Sequence, residues 1–94
     1  MKVVGKEILD DFSRLHGDVR STLAIWYHEA KEAIWKTPND IRARYASASF
    51  IGKHVIFNIK GNRYRLDTIV AYNLGTVYIK RVGTHAEYSK WDFN

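Results

Sequence analysis

The hydrophobic period of this chain changes once, near residue 50, and this change limits the folds that the chain can adopt. Before it, apolar residues recur at helical spacing, first over residues 8–15 and again over residues 23–34. After it, the run 54–59 is β-branched and aromatic, as strands are. A chain with its helices first and most of its strands afterwards predicts an α+β fold, with the helices packed on one face of a small antiparallel sheet.

Two helices are predicted before the change, separated by a break at residues 16–18. Gly17 suits the position just after the end of the first helix. The first stripe of apolar residues is Ile8, Leu9, Phe12 and Leu15, and the second is Leu23, Trp26, Tyr27, Ala30, Ala33 and Ile34. Helices joined by so short a break predict an antiparallel helical hairpin. Thr37, Pro38 and Asp40 then fit the N-cap, first and third positions of a short third helix.

The second half of the chain predicts a meander of three antiparallel strands, over residues 54–59, 64–72 and 76–82. Lys60-Gly61-Asn62-Arg63 forms the first turn, with the glycine and the asparagine expected to supply positive φ, and residues 73–75 form the second. A short strand is also expected at residues 2–4, and residues 46–49 are expected to be a connector of small side chains. Because 94 residues barely support two hydrophobic cores, we expect a single domain over residues 1–94.

The charge of the chain is concentrated in its second half. The formal net charge is +5, and residues 46–94 carry seven basic but only three acidic side chains. A field of this sign attracts phosphate, although solubility alone could also explain it. The chain has no cysteine, no apolar run long enough to span a membrane and no apolar leader after Met1. These features predict a cytoplasmic protein without thiol chemistry and without a membrane partner.

Alternation along the second strand of the meander places Arg63, Arg65 and Asp67 on one face. We expect this face to be open, since two arginines and an aspartate pack poorly against the buried Trp26. Lys80, on the next strand, joins Arg65 if the hairpin register is simple. A solvated strand face, with Asp67 as an internal partner of the arginines, is the alternative.

The histidines do not predict a metal site. His16, His28 and His54 show no partner pattern and are interpreted as surface or capping residues, whereas His85 lies just past the last strand, close to Tyr88. The basic half offers few carboxylates, which disfavours a metal-dependent nuclease. We therefore expect neither a metal nor another cofactor.

Four segments closely resemble the HigB family of toxins, which belongs to the RelE-like superfamily of type II toxin–antitoxin systems. They are residues 57–66, 78–88, 35–41 and 46–50. The similarity as a whole covers nearly the entire chain. The most specific part is Gly61-Asn62-x-Tyr64-Arg65 followed by Gly83-Thr84-His85-Ala86-Glu87-Tyr88. The chain departs from the family at two positions, with Ser89 where an aspartate is common and Arg81 where an aromatic residue is common.

This resemblance implies a RelE-like fold and a ribosome-dependent mRNA interferase, an endoribonuclease that cuts mRNA in the A site of the small ribosomal subunit. It also implies a HigA-like antitoxin with a helix-turn-helix domain, through which the pair binds operator DNA. A toxin remnant is the alternative: a chain with weak or no activity that binds RNA, the ribosome or an antitoxin without cutting.

The reaction implied is attack of a ribose 2′-OH on the adjacent phosphate, which needs a base, an acid and positive charge on the transition state. Arg65 is predicted to bind the phosphate with its two-pronged guanidinium, and Lys80 supplies a second cation. His85 is the candidate acid or base, and Tyr88 is predicted to stack on a base or donate a proton. Which group is acid and which is base stays open. The predicted RNA-binding residues are Lys60, Asn62, Arg63 and Arg81.

Overall fold

The computed structural model of the chain describes residues 1–93 and confirms the predicted order of elements. The helices are α1 (Lys6–Leu15), α2 (Arg20–Glu32), α3 (Pro38–Arg44) and α4 (His85–Tyr88). The strands are β1 (Lys2–Val4), β2 (Ser49–Ile51), β3 (His54–Ile59), β4 (Tyr64–Ala71) and β5 (Thr76–Thr84). Within these residues, none of the helices is long and apolar enough to cross a membrane.

The five strands form one mixed sheet in the order β1-β5-β4-β3-β2. The meander β3-β4-β5 is antiparallel as predicted, and β2 extends it as an antiparallel edge. The strand β1 instead pairs in parallel with β5, from Lys2 opposite Thr76 to Val4 opposite Tyr78. The expectation of a purely antiparallel sheet was therefore wrong at β1, and the connector expected at residues 46–49 ends at residue 48, because Ser49 begins β2. The pairing of β1 with β5 joins the two ends of the chain, so no local pattern reveals it.

The helices α1 and α2 cover one face of the sheet and form the core with it. Leu23, Trp26 and Ala30 of α2 are buried, and the Trp26 ring lies 5.3 Å from the ring of Phe57 on β3. Two predicted stripe residues are exposed instead, Leu15 by 83% and Ile34 by 78%. Leu15 is the last residue of α1, and α2 ends before the extended Ala33, so Ile34 leaves the apolar stripe.

The predicted start of α3 is confirmed. Asp40 accepts hydrogen bonds from the backbone N–H groups of Lys36 at 2.8 Å and Thr37 at 3.0 Å. These bonds stabilise the ionised carboxylate and lower the pKa of Asp40 below its ordinary value. Pro38 occupies the first helical turn, where its missing N–H has no helical partner to lose.

The turn between β3 and β4 contains positive φ angles at Lys60 (52°) and Gly61 (67°). Asn62, which was expected to adopt such an angle, does not. The next hairpin contains a β-bulge, because Asp67 pairs with Arg81 whereas Thr68 pairs with Ile79. Lys80 is the extra residue of the bulge, and this extra residue changes which side chains of β5 lie beside β4.

Candidate functional site

The face of the sheet turned away from α1 and α2 carries the predicted arginine, and we call it the outer face. Its central residues, by strand alternation and register, are His54, Ile56, Arg65, Asp67, Arg81 and Gly83. The expectation that this face is open was wrong, since Arg65 is only 8% exposed and Asp67 is completely buried. The C-terminal segment, which we define as residues 85–93, folds back on the outer face with its aromatic side chains. An arginine-bearing face can be covered in this way because aromatic rings accept guanidinium groups on their faces.

Arg65 lies at the centre of the candidate site. Its Nη1 donates to the carbonyls of Asn62 (3.0 Å) and Tyr64 (3.2 Å), and its guanidinium carbon lies 5.2 Å from the centroid of the Tyr88 ring. Two carbonyls therefore fix the orientation of the guanidinium group. Within residues 1–93, no hydrogen bond engages Nη2 or Nε of Arg65, and these are the donors that can serve a phosphate.

The helix α4 brings His85 to the same corner of the sheet. The backbone N–H of His85 donates to the carbonyl of Arg63 at 2.9 Å, which ties α4 to the turn that precedes β4. Thr84 caps α4, because its Oγ1 accepts from the N–H of Glu87 and its own N–H donates to Glu87 Oε1 at 2.8 Å. The bond from Thr84 lowers the pKa of Glu87 below its ordinary value. The His85 side chain is left exposed, with its ring 6.4 Å from that of Tyr88.

Lys80 does not join the cluster formed by Arg65, His85 and Tyr88. Arg65 lies opposite Gly83, and Lys80 is three residues farther along β5, or roughly 10 Å at the usual rise of a strand. The register that was expected to place Lys80 beside Arg65 is wrong because of the bulge at Lys80 itself. Lys80 is exposed, so a contact with RNA stays a prediction for it.

Asp18 partly neutralises the positive charge of the predicted RNA-binding turn. The Oδ2 atom of Asp18 lies 3.6 Å from Lys60 Nζ and 3.6 Å from Arg63 Nη1. The Tyr64 hydroxyl donates to the Asp18 carboxylate at 2.9 Å and, together with Lys60, lowers the pKa of Asp18. Arg63 is thus directed toward the helical side of the sheet. The expectation that it shares the outer face with Arg65 was wrong. Asn62 is exposed at the tip of the turn.

A buried network that sequence reasoning missed lies beside the cluster. Asp67 Oδ1 is 2.7 Å from Nδ1 of His54, and its Oδ2 accepts from Nε of Arg81 at 3.0 Å. The interpretation of His54 as a surface or capping residue was therefore wrong. Asp67 is an internal partner, as the alternative reading held, but of Arg81 rather than of Arg63 or Arg65. The predicted RNA-binding Arg81 is thus engaged inside the molecule.

Arg81 also holds the end of the C-terminal segment. Its Nη2 donates to the carbonyl of Asp92 at 3.2 Å, and its guanidinium carbon lies 4.5 Å from the Trp91 ring centroid and 5.1 Å from that of Phe93. The Phe93 ring in turn lies 5.0 Å from the ring of His54. The only sequence signal for this arrangement is the pair of aromatic residues that follows the His85–Tyr88 motif.

Gly83 allows Trp91 to lie close to the sheet. A Cβ atom at Gly83 would come within 2.8 Å of the Trp91 ring and 3.2 Å of Glu87 Cβ. We expect Gly83→Ala to lower the free energy of unfolding by about 1–3 kcal/mol, since the added methyl group overpacks this contact. Urea unfolding measures the loss, and Gly17→Ala is the control because nothing lies within 4 Å of a Cβ at Gly17. Equal stability of the two variants would contradict the seating of Trp91 on Gly83.

Comparisons with known proteins agree with this architecture. Residues 19–91 match the family model of HigB toxin, described as the RelE-like toxic component of a toxin–antitoxin system. The chain is 25% identical over 91 residues to the mRNA interferase toxin HigB of Escherichia coli (strain K12), an alignment that covers 94% of this chain and 88% of the relative. The mRNA interferases HigB of Escherichia coli O157:H7 and Shigella flexneri match with the same identity and coverage. Because the family model covers most of the chain, and the predicted resemblance is thereby confirmed, this chain belongs to the HigB family of RelE-like toxins of toxin–antitoxin systems.

Proposed function

We propose that this chain is an mRNA interferase that cleaves mRNA in the ribosomal A site and so stops translation. The observation that carries the proposal is the convergence of Arg65, His85 and Tyr88, contributed by β4 and α4, at one corner of the sheet. The curated relatives named as mRNA interferases, which match 94% of this chain, support the same activity. We infer that the ribosome positions the mRNA, because the resemblance to HigB toxins implies a ribosome-dependent interferase.

The proposed reaction uses no metal and no other cofactor. The ribose 2′-oxygen forms a bond to the adjacent phosphorus as its proton passes to a base, and the bond from phosphorus to the 5′-oxygen breaks as that oxygen receives a proton. The products are a 2′,3′-cyclic phosphate and a 5′-OH end. His85 and Tyr88 are the groups proposed to exchange these protons, and Nη2 and Nε of Arg65 bind the phosphate oxygens as negative charge develops.

Further contacts to RNA are proposed for the exposed cations and amide around this corner. Lys60, Asn62 and Arg63 lie in the turn that precedes β4, and the carbonyl of Arg63 accepts from the backbone N–H of His85. Lys80 is an exposed cation farther along β5. Phosphate contacts of this kind position a nucleic acid without reading its sequence. We expect replacement of these residues to weaken binding of the toxin to the mRNA on the ribosome and to leave the rate of the chemical step unchanged.

The proposed partners follow from the family. We propose that a HigA-like antitoxin with a helix-turn-helix domain binds and silences this chain, that the complex binds operator DNA through the antitoxin, and that both act in the cytoplasm. Within the toxin, the most basic segments are strands and turns rather than an exposed recognition helix, which is why DNA binding is assigned to the antitoxin.

Mapping of RNA 5′ ends by primer extension tests the proposed function. Purified protein is incubated with mRNA-programmed ribosomes and, in parallel, with the same mRNA alone. We expect new 5′-OH ends within the A-site codon only when ribosomes are present. Cuts in the naked mRNA would contradict the ribosome requirement, and no cuts in either sample would contradict the interferase and favour a toxin remnant.

A further inference from the structure

The C-terminal segment holds two aromatic rings in a fixed position beside the candidate site, and no step of the proposed reaction uses them. We propose that Trp91 and Phe93 form a stacking surface for one unpaired RNA base. The inference rests on the proposed function, because it names the part of the RNA that this neighbouring surface binds. The ligand class is a nucleobase in single-stranded RNA, recognised through its flat face rather than through its hydrogen-bonding edge.

The two rings belong to an aromatic cluster with Tyr88. The Tyr88 ring centroid lies 5.6 Å from that of Trp91 and 6.3 Å from that of Phe93, and the Trp91 and Phe93 centroids are 6.5 Å apart. All three rings are half-buried and keep part of their surface in solvent. Because Tyr88 also lies over Arg65, a base bound at Trp91 or Phe93 sits one ring away from the proposed phosphate-binding guanidinium.

The sheet holds this surface in place before any RNA arrives. Arg81 lies over both Trp91 and Phe93, and the completely buried Asp67 fixes Arg81 and His54 through one carboxylate oxygen each. A ring held in this way loses little conformational freedom on binding, so most of the stacking energy is retained as affinity.

The surroundings of the rings distinguish them from ordinary core residues. The buried aromatic residues of the core, such as Trp26 and Phe57, contact apolar side chains on the helical face. Trp91 and Phe93 instead lie on the opposite face, half-buried and in contact with the guanidinium group of Arg81. Partly exposed rings interleaved with guanidinium groups are the arrangement that binds single-stranded RNA, since the rings stack on bases while the cations attract phosphates.

Tryptophan fluorescence provides the test, because Trp26 and Trp35 are 2% and 5% exposed and Trp91 is the half-buried one of the three. The native protein is titrated with an unstructured nine-nucleotide RNA made resistant to cleavage by 2′-O-methyl groups. A second titration uses a base-free ribose phosphate chain of equal length and charge. We expect the RNA to quench the emission and to bind roughly 5- to 150-fold more tightly than the base-free chain.

Two variants assign the effect to the ring. Trp91→Ala is expected to lose this preference for bases, with binding followed by fluorescence anisotropy of a labelled RNA, and Trp91→Phe is expected to keep most of it. Phe50→Ala is the matched control, because Phe50 is also half-buried and lies 4.3 Å from the Arg42 guanidinium, but on the helical face at the other edge of the sheet. Thermal unfolding of each variant confirms that the compared proteins are folded.

The outcomes separate this proposal from the interferase itself. Equal affinity of the native protein for the two chains, no binding of the RNA, or native affinity in Trp91→Ala would overturn the stacking surface. If the protein cleaves mRNA on ribosomes but gives any of these results, the stacking surface is contradicted and the proposed interferase activity is not. If the protein cuts no mRNA but shows a preference for bases that depends on Trp91, the stacking surface is supported and the interferase activity is contradicted.

Discussion

Replacing His85 with alanine is expected to lower the rate of mRNA cleavage on ribosomes roughly 10²–10⁴-fold, the usual contribution of a general acid or base. The fold should survive, because the structural bonds of this residue are made by its backbone. Its N–H donates to the carbonyl of Arg63, and its carbonyl accepts from the N–H and hydroxyl of Ser89. The measurement is the single-turnover rate of 5′-end formation on programmed ribosomes.

His28→Ala is the matched control for this experiment. His28 is also an exposed helical histidine, but it lies on α2, on the other side of the sheet. We expect the control to cleave at the native rate and His85→Ala to show native thermal unfolding. A native cleavage rate in His85→Ala would remove His85 from the chemistry and leave Tyr88 and Arg65 as the remaining candidates in the cluster.

The elements with strong local signals could be predicted from the sequence. The strand β3 has the predicted bounds, because its apolar run is bounded by glycine-containing turns. The start of α3 was equally readable, since Thr37, Pro38 and Asp40 each have a specific role at a helix N-terminus. The pairing of β1 with β5 and the three-residue strand β2 carry no such signal, since neighbours distant in sequence determine them.

The candidate site could be predicted where it depends on chain proximity and not where it depends on register. His85 and Tyr88 lie within one helical turn directly after β5, so their meeting at the strand end was predictable. The buried contact of His54 with Asp67 requires the register of β3 against β4, in which Asp67 faces Ile56, two residues from His54. The bulge between β4 and β5 moves Lys80, a predicted site residue, away from Arg65 by inserting one extra residue into the pairing of the two strands. Neither feature changes the hydrophobic pattern from which strands are recognised.

Replacing Arg65 with alanine is expected to lower cleavage roughly 10²–10³-fold, the typical loss when one preorganised donor to a developing oxyanion is removed. The two carbonyls that accept from Nη1 hold the guanidinium before substrate binds, so no reorganisation is needed when charge develops on the phosphate. Arg65→Lys should recover only part of the rate, because an ammonium group cannot hold both carbonyls and bind two phosphate oxygens. Rates are compared by primer extension at saturating ribosome concentration.

The control for this variant is Arg42→Ala, which removes an exposed guanidinium that also lies over an aromatic ring, Phe50, at 4.3 Å. It should cleave at the native rate, whereas native cleavage by Arg65→Ala would contradict the phosphate-binding role.

Loss of folding is separated from loss of chemistry by measuring stability and rate on the same Arg65→Ala protein. Each carbonyl that loses its hydrogen bond from Arg65, at Asn62 and at Tyr64, costs about 1–3 kcal/mol, against a total stability of about 5–15 kcal/mol for a domain. Urea unfolding of the variant therefore gives the folded fraction under the conditions of the cleavage assay. Unfolding alone lowers the rate only by the factor by which it lowers this fraction, so a fall of two orders of magnitude in a protein that is mostly folded comes from the lost guanidinium.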